Sequence, residues 1–194
     1  DEGRKNRAIP NVLAFNVNDQ YLVAGSLEKI QLWDVFEGKI KKSSSLMPGI
    51  HTLKIGVNGR NFFAGGQGGI YLIDLESLEK IKEIPAPKSN LVRSNEAKSM
   101  DISADGQFLL MGCLDNATRL WHVQYDGALL TFVVEHYPVF KFTVFSASGD
   151  YIIEVYRETD GSGHFILQSG ERYRNMEYPV TQVFQQVESE KTTE

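Results

Sequence analysis

The chain has 194 residues, of which 42% are apolar and 23% are charged, and its formal net charge is −5. This composition predicts one substantial folded domain and argues against a disordered chain. The acidic balance disfavours sequence-independent nucleic-acid binding, which needs a basic stripe to displace counterions from phosphates. The single cysteine, Cys113, leaves no intrachain disulfide, so a reducing compartment is expected. With no apolar stretch of about 18 residues and no leading apolar segment, neither a membrane span nor a signal peptide is expected.

The first nine residues are mostly charged and are expected to form a flexible lead-in. After them, a turn rich in Asn, Asp, Ser and Gly recurs four times, and each turn precedes an apolar run led by an aromatic residue. The turns are Asn18-Asp19, Asn58-Gly59, Asp105-Gly106 and Ser148-Gly149. The runs are YLVAGS, FFAGG, FLLMGC and YIIEVY, and they are followed by IQLWDV, IYLIDL, TRLWHV and HFILQS. Asn-Gly and Asp-Gly pairs favour tight hairpin turns, so each repeat predicts antiparallel strands.

The repeat has a period of roughly 40 to 47 residues, which is the length of a four-stranded propeller blade. Trp33-Asp34 ends the third strand of the first repeat, and Trp121-His122 stands at the corresponding place in the third. At these residues the chain resembles the WD-repeat β-propeller family, over about residues 10–170. The second repeat has Ile73 in place of the tryptophan, and the fourth has lost the dipeptide. Gly49-Ile50-His51 and Glu135-His136 are the nearest remnants of the Gly-His pair that opens a family repeat.

The resemblance implies an all-β fold of about four consecutive four-stranded blades that form part of a larger propeller. The expected organisation is a flexible lead-in over 1–9, blades at about 10–46, 50–86, 97–134 and 138–170, and an irregular tail over 171–194. Tyr178 to Val187 is expected to supply one strand of that tail. The segment from Ile84 to Ala97 contains two prolines and predicts a long loop between blades.

The resemblance also implies structural roles for four residues, namely Trp33, Asp34, Asp115 and Trp121. In the family, an Asp before the third strand and a Trp within it belong to a hydrogen-bond network, and Asp115 and Trp121 occupy those positions. A buried carboxylate or indole N–H needs a hydrogen-bond partner. We therefore expect Asp115→Ala to lower the melting temperature, and an unchanged value would reject a buried role for Asp115.

Three segments have both a functional and a plainer interpretation. Lys39, Lys41 and Lys42 could bind an anionic partner, but lysines also protect an exposed strand edge from pairing, and we favour that reading. The glycines of GGQGG, residues 65–69, run into another strand rather than a helix, which favours a hairpin over a phosphate loop. Glu158 and Asp160 lack the further oxygen ligands of a calcium loop, so a flexible hairpin is the simpler interpretation there.

Catalytic patterns are scarce. The four histidines, His51, His122, His136 and His164, are scattered without zinc-ligand spacing. Cys113 lies inside an apolar run, and no nucleophile elbow is present. The sequence therefore predicts a non-enzymatic protein without cofactor or metal.

The expected function is a protein-interaction scaffold that helps assemble a multiprotein complex in the cytoplasm, with cytoskeletal and nuclear sites left open. By family resemblance, one rim carries the loops before each first strand and between each second and third strand. The exposed candidates on that rim are Glu28, Gln67, Asn95, Asn116 and His136. Two alternatives remain. A propeller with a central-channel enzymatic site would need convergent acidic or metal-binding side chains, and an RNA-associated propeller would need Lys39, Lys41, Lys42 and Lys54 on one face.

Propellers with repeats of this length usually have seven blades, which would need about 280 to 320 residues. We therefore expect an arc of blades whose remainder comes from a longer chain or from a second protein. Such an arc should expose the apolar flanks of its first and last blades.

Overall fold

The computed structural model describes residues 9–45, 49–66, 68–85, 96–113, 117–123, 128–133, 140–148, 150–157, 163–169 and 182–185. Every regular element in these ranges is a β-strand, and the strands form four sheets. The chain contacts divide it into a first unit, Asp1–Asn90 with Ser94–Ala97, and a second unit, Leu91–Arg93 with Lys98–Glu194. The all-β fold predicted from the turn and strand pattern is therefore confirmed.

The first unit holds two antiparallel sheets of four strands each, and every strand pairs with its neighbour in sequence. The strands of the first sheet are β1 (Val12–Phe15), β2 (Tyr21–Gly25), β3 (Ile30–Asp34) and β4 (Lys39–Ser44). Those of the second sheet are β5 (Ile50–Ile55), β6 (Asn61–Gly66), β7 (Gly69–Asp74) and β8 (Lys80–Pro85). The GGQGG segment is a hairpin, because Gly66 pairs with Gly69.

The second unit begins with a sheet of five strands, one more than expected. Its strands are β9 (Ala97–Ile102), β10 (Phe108–Cys113), β11 (Ala117–His122), β12 (Ala128–Val133) and β16 (Gln182–Gln185). β16 lies within the tail segment from Tyr178 to Val187 and pairs in parallel with β12. It thereby occupies the backbone groups that an outer strand would otherwise leave unpaired.

The fourth sheet has three strands among the described residues, β13 (Phe140–Phe145), β14 (Tyr151–Arg157) and β15 (Gly163–Ser169). One predicted boundary is wrong. Ile84 and Pro85 belong to β8 rather than to the loop between blades, and Ala97 already begins β9. Proline is tolerated at an outer strand such as β8, where one side of the strand has no partner among the described strands. Residues 86–95 lie outside the described part of the chain.

The core of the first unit lies between its two sheets, with β1 packed on β5. The first sheet contributes Val23, Ile30 and Leu32, and the second contributes chiefly Leu53, Phe62, Ala64 and Ile73. These side chains follow the alternation of a strand, in which every second residue points to the same face.

In the second unit, β13 packs on β10, and polar groups from β9 fix its position. The Thr143 N–H donates to Ser99 Oγ at 3.1 Å, and the Phe145 N–H donates to Asp101 Oδ2 at 2.8 Å. A Cβ at Gly112 would lie 2.6 Å from Ser99 Oγ, so glycine is needed for this approach. Buried backbone N–H groups that reach side-chain oxygens keep the packing free of unsatisfied donors at these points.

The turn between the first and second strands is built in the same way in three sheets. Ser103 Oγ donates to Asp105 Oδ1 at 2.6 Å and accepts the Phe108 N–H at 2.9 Å. Asn16 does the same with Asn18 and Tyr21, and Ser146 accepts the Tyr151 N–H. These local side-chain bonds explain why Ser, Asn and Asp recur at the turns.

Candidate protein-interaction surface

Of the five residues predicted to bind a partner, the structure describes one. Glu28 is exposed in the loop between β2 and β3. Its N–H donates to Ser26 Oγ at 3.2 Å, and the Lys29 N–H donates to the same oxygen at 3.1 Å. Gln67, Asn95, Asn116 and His136 lie outside the described residues.

The loop that carries Glu28 is joined to the segment before β5. The Gly49 N–H donates to Leu27 O at 2.7 Å, and the Ile50 N–H donates to Ser26 O at 3.2 Å. The β6–β7 hairpin reaches the same place, since a Cβ at Gly66 would lie 2.1 Å from Gly49 O. Leu27 is exposed at this edge. We call the residues Ser26, Leu27, Glu28 and Gly49 the loop rim.

His51 and Glu96 form an ion pair within the first unit, with 3.5 Å between His51 Nε2 and Glu96 Oε2. His51 is the remnant of the Gly-His pair, and Glu96 immediately precedes β9. Both side chains are largely covered. The contact is an ion pair only when His51 is protonated.

The opposite edge of the first unit carries apolar side chains that the sequence reasoning did not select. Phe36 is 82% exposed and Val17 is 71% exposed, and Val35 and Val57 are also exposed. All four lie in turns rather than in strands. We call these four residues the turn rim.

A backbone hydrogen bond and a side-chain contact hold the turns of the turn rim side by side. The Val35 N–H donates to Gln20 O at 2.9 Å, which ties the β3–β4 turn to the β1–β2 turn. The Val17 side chain lies beside Gly59, in the same turn as Val57. The signal was present in the sequence, because valine and phenylalanine are unusual in turns that are otherwise Asn, Asp, Gly and Ser.

The lysines considered for RNA binding do not converge. Lys39, Lys41 and Lys42 lie on β4, the outer strand of the first sheet, whereas Lys54 lies on β5, which packs on β1 at the other end of that sheet. Three strand spacings, about 14 Å, separate β4 from β1. The position of the β4 lysines on an outer edge supports the edge-protection reading.

Lys41 also has an intrachain role. Its Nζ donates to the Tyr21 hydroxyl at 2.6 Å and lies 4.4 Å from the centre of the Tyr21 ring. This hydrogen bond holds the pKa of Lys41 above its usual value.

Among the residues expected to be structural, Asp34 caps the turn after β3. Its Oδ1 accepts the Glu37 N–H at 3.0 Å. Asp74 caps the equivalent turn of the second sheet by accepting the N–H groups of Ser77 and Glu76, at 2.8 and 3.1 Å. The hydrogen bonds from Ser77, with a lesser contribution from Glu76, lower the pKa of Asp74 against the opposing effect of burial.

The second tryptophan and its neighbour are both buried. Trp121 is buried on β11, and its indole N–H has no hydrogen-bond partner among the described residues; Asp115 lies outside them. His122, in the place of the dipeptide's aspartate, packs edge-on against Phe108 with ring centres 5.3 Å apart. Burial lowers the pKa of His122, and the Asp105 charge opposes that shift.

Trp33 is half-buried on the first sheet, between Leu22 and Ile40 on the neighbouring strands. Within the described ranges, no group of three or more His, Cys, Asp or Glu residues is placed to hold a metal ion. The same ranges contain no helix that is long and apolar enough to cross a membrane.

Comparison with known proteins supports the predicted resemblance. The family model "WD domain, G-beta repeat" matches residues 82–122. Small ribosomal subunit protein RACK1 of Neurospora crassa is 35% identical over 95 residues, which are 47% of this chain and 30% of the relative. WD repeat-containing protein 18 of Mus musculus is 28% identical over 111 residues, which are 54% of this chain and 26% of the relative. Residues 82–122 thus match a WD repeat, and the chain is similar to WD-repeat proteins over about half of its length.

The predicted resemblance is thus confirmed, and the sheets described above are blades of part of a WD-repeat β-propeller. A solved structure of Kuenenia stuttgartiensis hydrazine synthase matches with a TM-score of 0.70 over 86% of this WD-repeat chain and 48% of that chain. At 14% identity the likeness concerns the fold alone. The chain spans 30% and 26% of the two curated relatives named above, less than a third of each.

Proposed function

We propose that this WD-repeat segment is a non-catalytic protein-interaction scaffold that helps assemble a multiprotein complex, and that the turn rim is its binding surface. The observation that carries the proposal is the exposure of Val17, Val35, Phe36 and Val57 in neighbouring turns. The similarity of the chain to WD-repeat proteins supports it independently. The partner would be a protein segment with its own apolar side chains.

The energetics favour Phe36 as the anchor. A fully buried phenylalanine gains about 1.5–3 kcal/mol from the removal of its apolar surface from water. Interfaces draw most of their affinity from a few such anchors near the centre of the contact, whereas rim polar residues contribute little. Glu28 on the loop rim is a polar residue and is expected to contribute little affinity. Leu27 is the larger apolar side chain beside it.

Affinity capture from cells that express the protein, followed by mass spectrometry, tests the proposal. Phe36→Ser combined with Val57→Ser should remove the specific partners of the parent protein. Leu27→Ser combined with Glu28→Ala changes the loop rim by a similar amount and serves as the matched control. Loss of the partners from the loop-rim variant alone would refute the turn rim and favour the surface of Glu28, Gln67, Asn95, Asn116 and His136.

We also propose a cytoplasmic location. The support is the buried thiol of Cys113 in a chain without a second cysteine, which is typical of reducing compartments. The Neurospora crassa relative is named as a ribosomal subunit protein, which agrees with this location. Fluorescence microscopy of the tagged protein would reject it by showing the signal only in another compartment.

A further inference from the structure

The fourth strand of the third sheet carries no charged residue. β12 has the sequence ALLTFV, with five apolar residues and one threonine. The fourth strands of the first and second sheets are instead rich in lysine, since β4 has the sequence KIKKSS and β8 has the sequence KIKEIP. Lysine and proline on an outer strand discourage the addition of another strand to its free backbone groups. β12 lacks this protection, and its uncharged residues of high β-propensity favour pairing with a further strand.

A further strand of the same chain lies on this side of β12. β16 has the sequence QVFQ and pairs in parallel with β12, from Leu130 opposite Gln182 to Val133 opposite Gln185. The first and second sheets have four strands each and no counterpart of β16. β16 is therefore an addition to the blade and not a part of the repeat. We call the backbone groups of Leu130 to Val133 on this side the β12 edge, and the pairing shows that this edge accepts an extended, uncharged segment.

Three features make β16 easier to displace than the strands of the repeat. It has four residues, whereas β10, β11 and β12 have six each. Its pairing with β12 is parallel, and parallel pairing is slightly less stable per residue than the antiparallel pairing of β10, β11 and β12. As the outermost strand of its sheet, it has a neighbour on one side only. Release of such a strand requires less free energy than unfolding of the whole sheet.

We propose that the β12 edge is a strand-addition site for an extended segment of another protein, and that β16 occupies this site until the partner displaces it. The partner segment runs parallel to β12 and, like β16, has no charged residue and has β-branched and aromatic residues at its centre. Main-chain hydrogen bonds supply the affinity, as in other recognition by strand addition. The site is independent of the turn rim, which belongs to the first unit.

Competition with β16 sets the apparent affinity of the partner. The partner binds only molecules in which β16 is released, so its apparent dissociation constant rises as that fraction falls. If β16 pairs with β12 in about nine-tenths of the molecules, its complete release strengthens binding about tenfold.

A variant with two consecutive prolines in β16 tests the proposal in the full chain. Successive N–H groups of a strand point to opposite sides, so Val183→Pro with Phe184→Pro removes a donor to β12 whichever of the two residues faces it. We call this the release variant. Ser189→Pro with Glu190→Pro places the same two prolines beyond β16 and is the matched control. The probe is a fluorescent synthetic peptide with the sequence of residues 178–187, YPVTQVFQQV. The control peptide carries the two prolines of the release variant.

Fluorescence anisotropy should show that the probe binds the release variant about tenfold or more tightly than it binds the parent or the matched control. The control peptide should bind none of them. Amide hydrogen exchange followed by mass spectrometry locates the site. Exchange in β12 should be faster in the release variant than in the parent, and saturation with the probe should restore the protection.

Equal affinity of the probe for the parent and the release variant would overturn the proposal. So would a release variant that does not bind the probe, or equal exchange in β12 of the parent and the release variant. A parent that dimerises in sedimentation velocity, and whose dimer is lost in the release variant, would assign the β12 edge to a second copy of the chain and would also overturn it. If the release variant loses the circular dichroism spectrum of the parent, Val183→Ser with Phe184→Ser takes its place, and the same outcomes apply.

Discussion

Two residues of the first unit other than glycine, Asp19 and Leu78, have a left-handed backbone conformation. Substitution with glycine should affect the stability of the protein differently at the two positions. Asp19 has φ 58° and Leu78 has φ 53°, whereas glycine occupies the position equivalent to Asp19 at Gly59 and Gly106. A residue with a Cβ loses about 1–2 kcal/mol in this conformation. Asp19 is exposed, but Leu78 is buried in the core. The strain at Leu78 is therefore offset by burial, and that at Asp19 is not.

The comparison of glycine with alanine isolates the backbone contribution. At position 19, we expect Asp19→Gly to be more stable than Asp19→Ala by about 1 kcal/mol. At the neighbouring Gln20, whose φ is not positive, alanine should instead be the more stable by about 0.5 kcal/mol, because glycine loses more entropy on folding. Leu78→Gly should lower stability by about 1–3 kcal/mol, since the loss of a buried leucine exceeds the strain that it relieves.

Urea unfolding of the first unit can be monitored by the fluorescence of Trp33. All variants carry Trp121→Phe, which removes the tryptophan fluorescence of the second unit. For a chain of this size, 1 kcal/mol corresponds to about 2–4 °C in melting temperature, so thermal unfolding can resolve the same differences. Equal stabilities of the glycine and alanine variants at position 19 would refute the strain argument. A Leu78→Gly variant as stable as the parent would show that its burial is worth no more than its strain.

Three further predictions concern single positions. Burial lowers the pKa of His122 from its ordinary value of 6.5, so the unfolded chain binds a proton at this residue more readily than the folded chain. The parent should therefore lose stability as the pH falls through about 6.5, and His122→Asn should reduce that loss. An equally steep loss of stability in the variant would contradict this. Gly66→Ala would place a Cβ 2.1 Å from Gly49 O and should lower the urea midpoint by an amount equivalent to about 1–3 kcal/mol, whereas an unchanged midpoint would show that this hairpin moves freely. Gly56→Ser would place a Cβ 2.2 Å from Asn61 Oδ1. The single variant should be less stable than the parent, and adding Asn61→Phe should restore stability. A double variant no more stable than the single one would show that this contact is not the cause.

The strand pattern could be predicted because it depends on local chemistry. Asp105-Gly106 and Asn58-Gly59 fix turns by side-chain hydrogen bonds and by a left-handed glycine, and the structure ends the flanking strands within a residue or two of the predicted positions. β16 was only partly predictable, because its pairing with β12 joins segments about 50 residues apart. The β8 boundary was misplaced because Pro85 was interpreted as a loop residue, although an outer strand accepts proline.

The binding surface was harder to predict, because exposure depends on which faces the sheets cover. The sequence reasoning selected polar residues in family loops and passed over Val17 and Phe36, which are exposed in turns.

The repeat also distinguishes what the fold requires from what is special to the first unit. The turn position occupied by Val17 and Val57 is occupied by Ala104 and Ala147 in the second unit. Both alanines are exposed in turns that form the same backbone hydrogen bonds to the following strand. Since alanine suffices for the turn, the larger valines contribute nothing that the turn itself needs, and exposure of their additional apolar surface to water is unfavourable. A contact with another protein would remove that unfavourable exposure. We therefore assign binding to the side chains of the turn rim and not to the backbone of the turns.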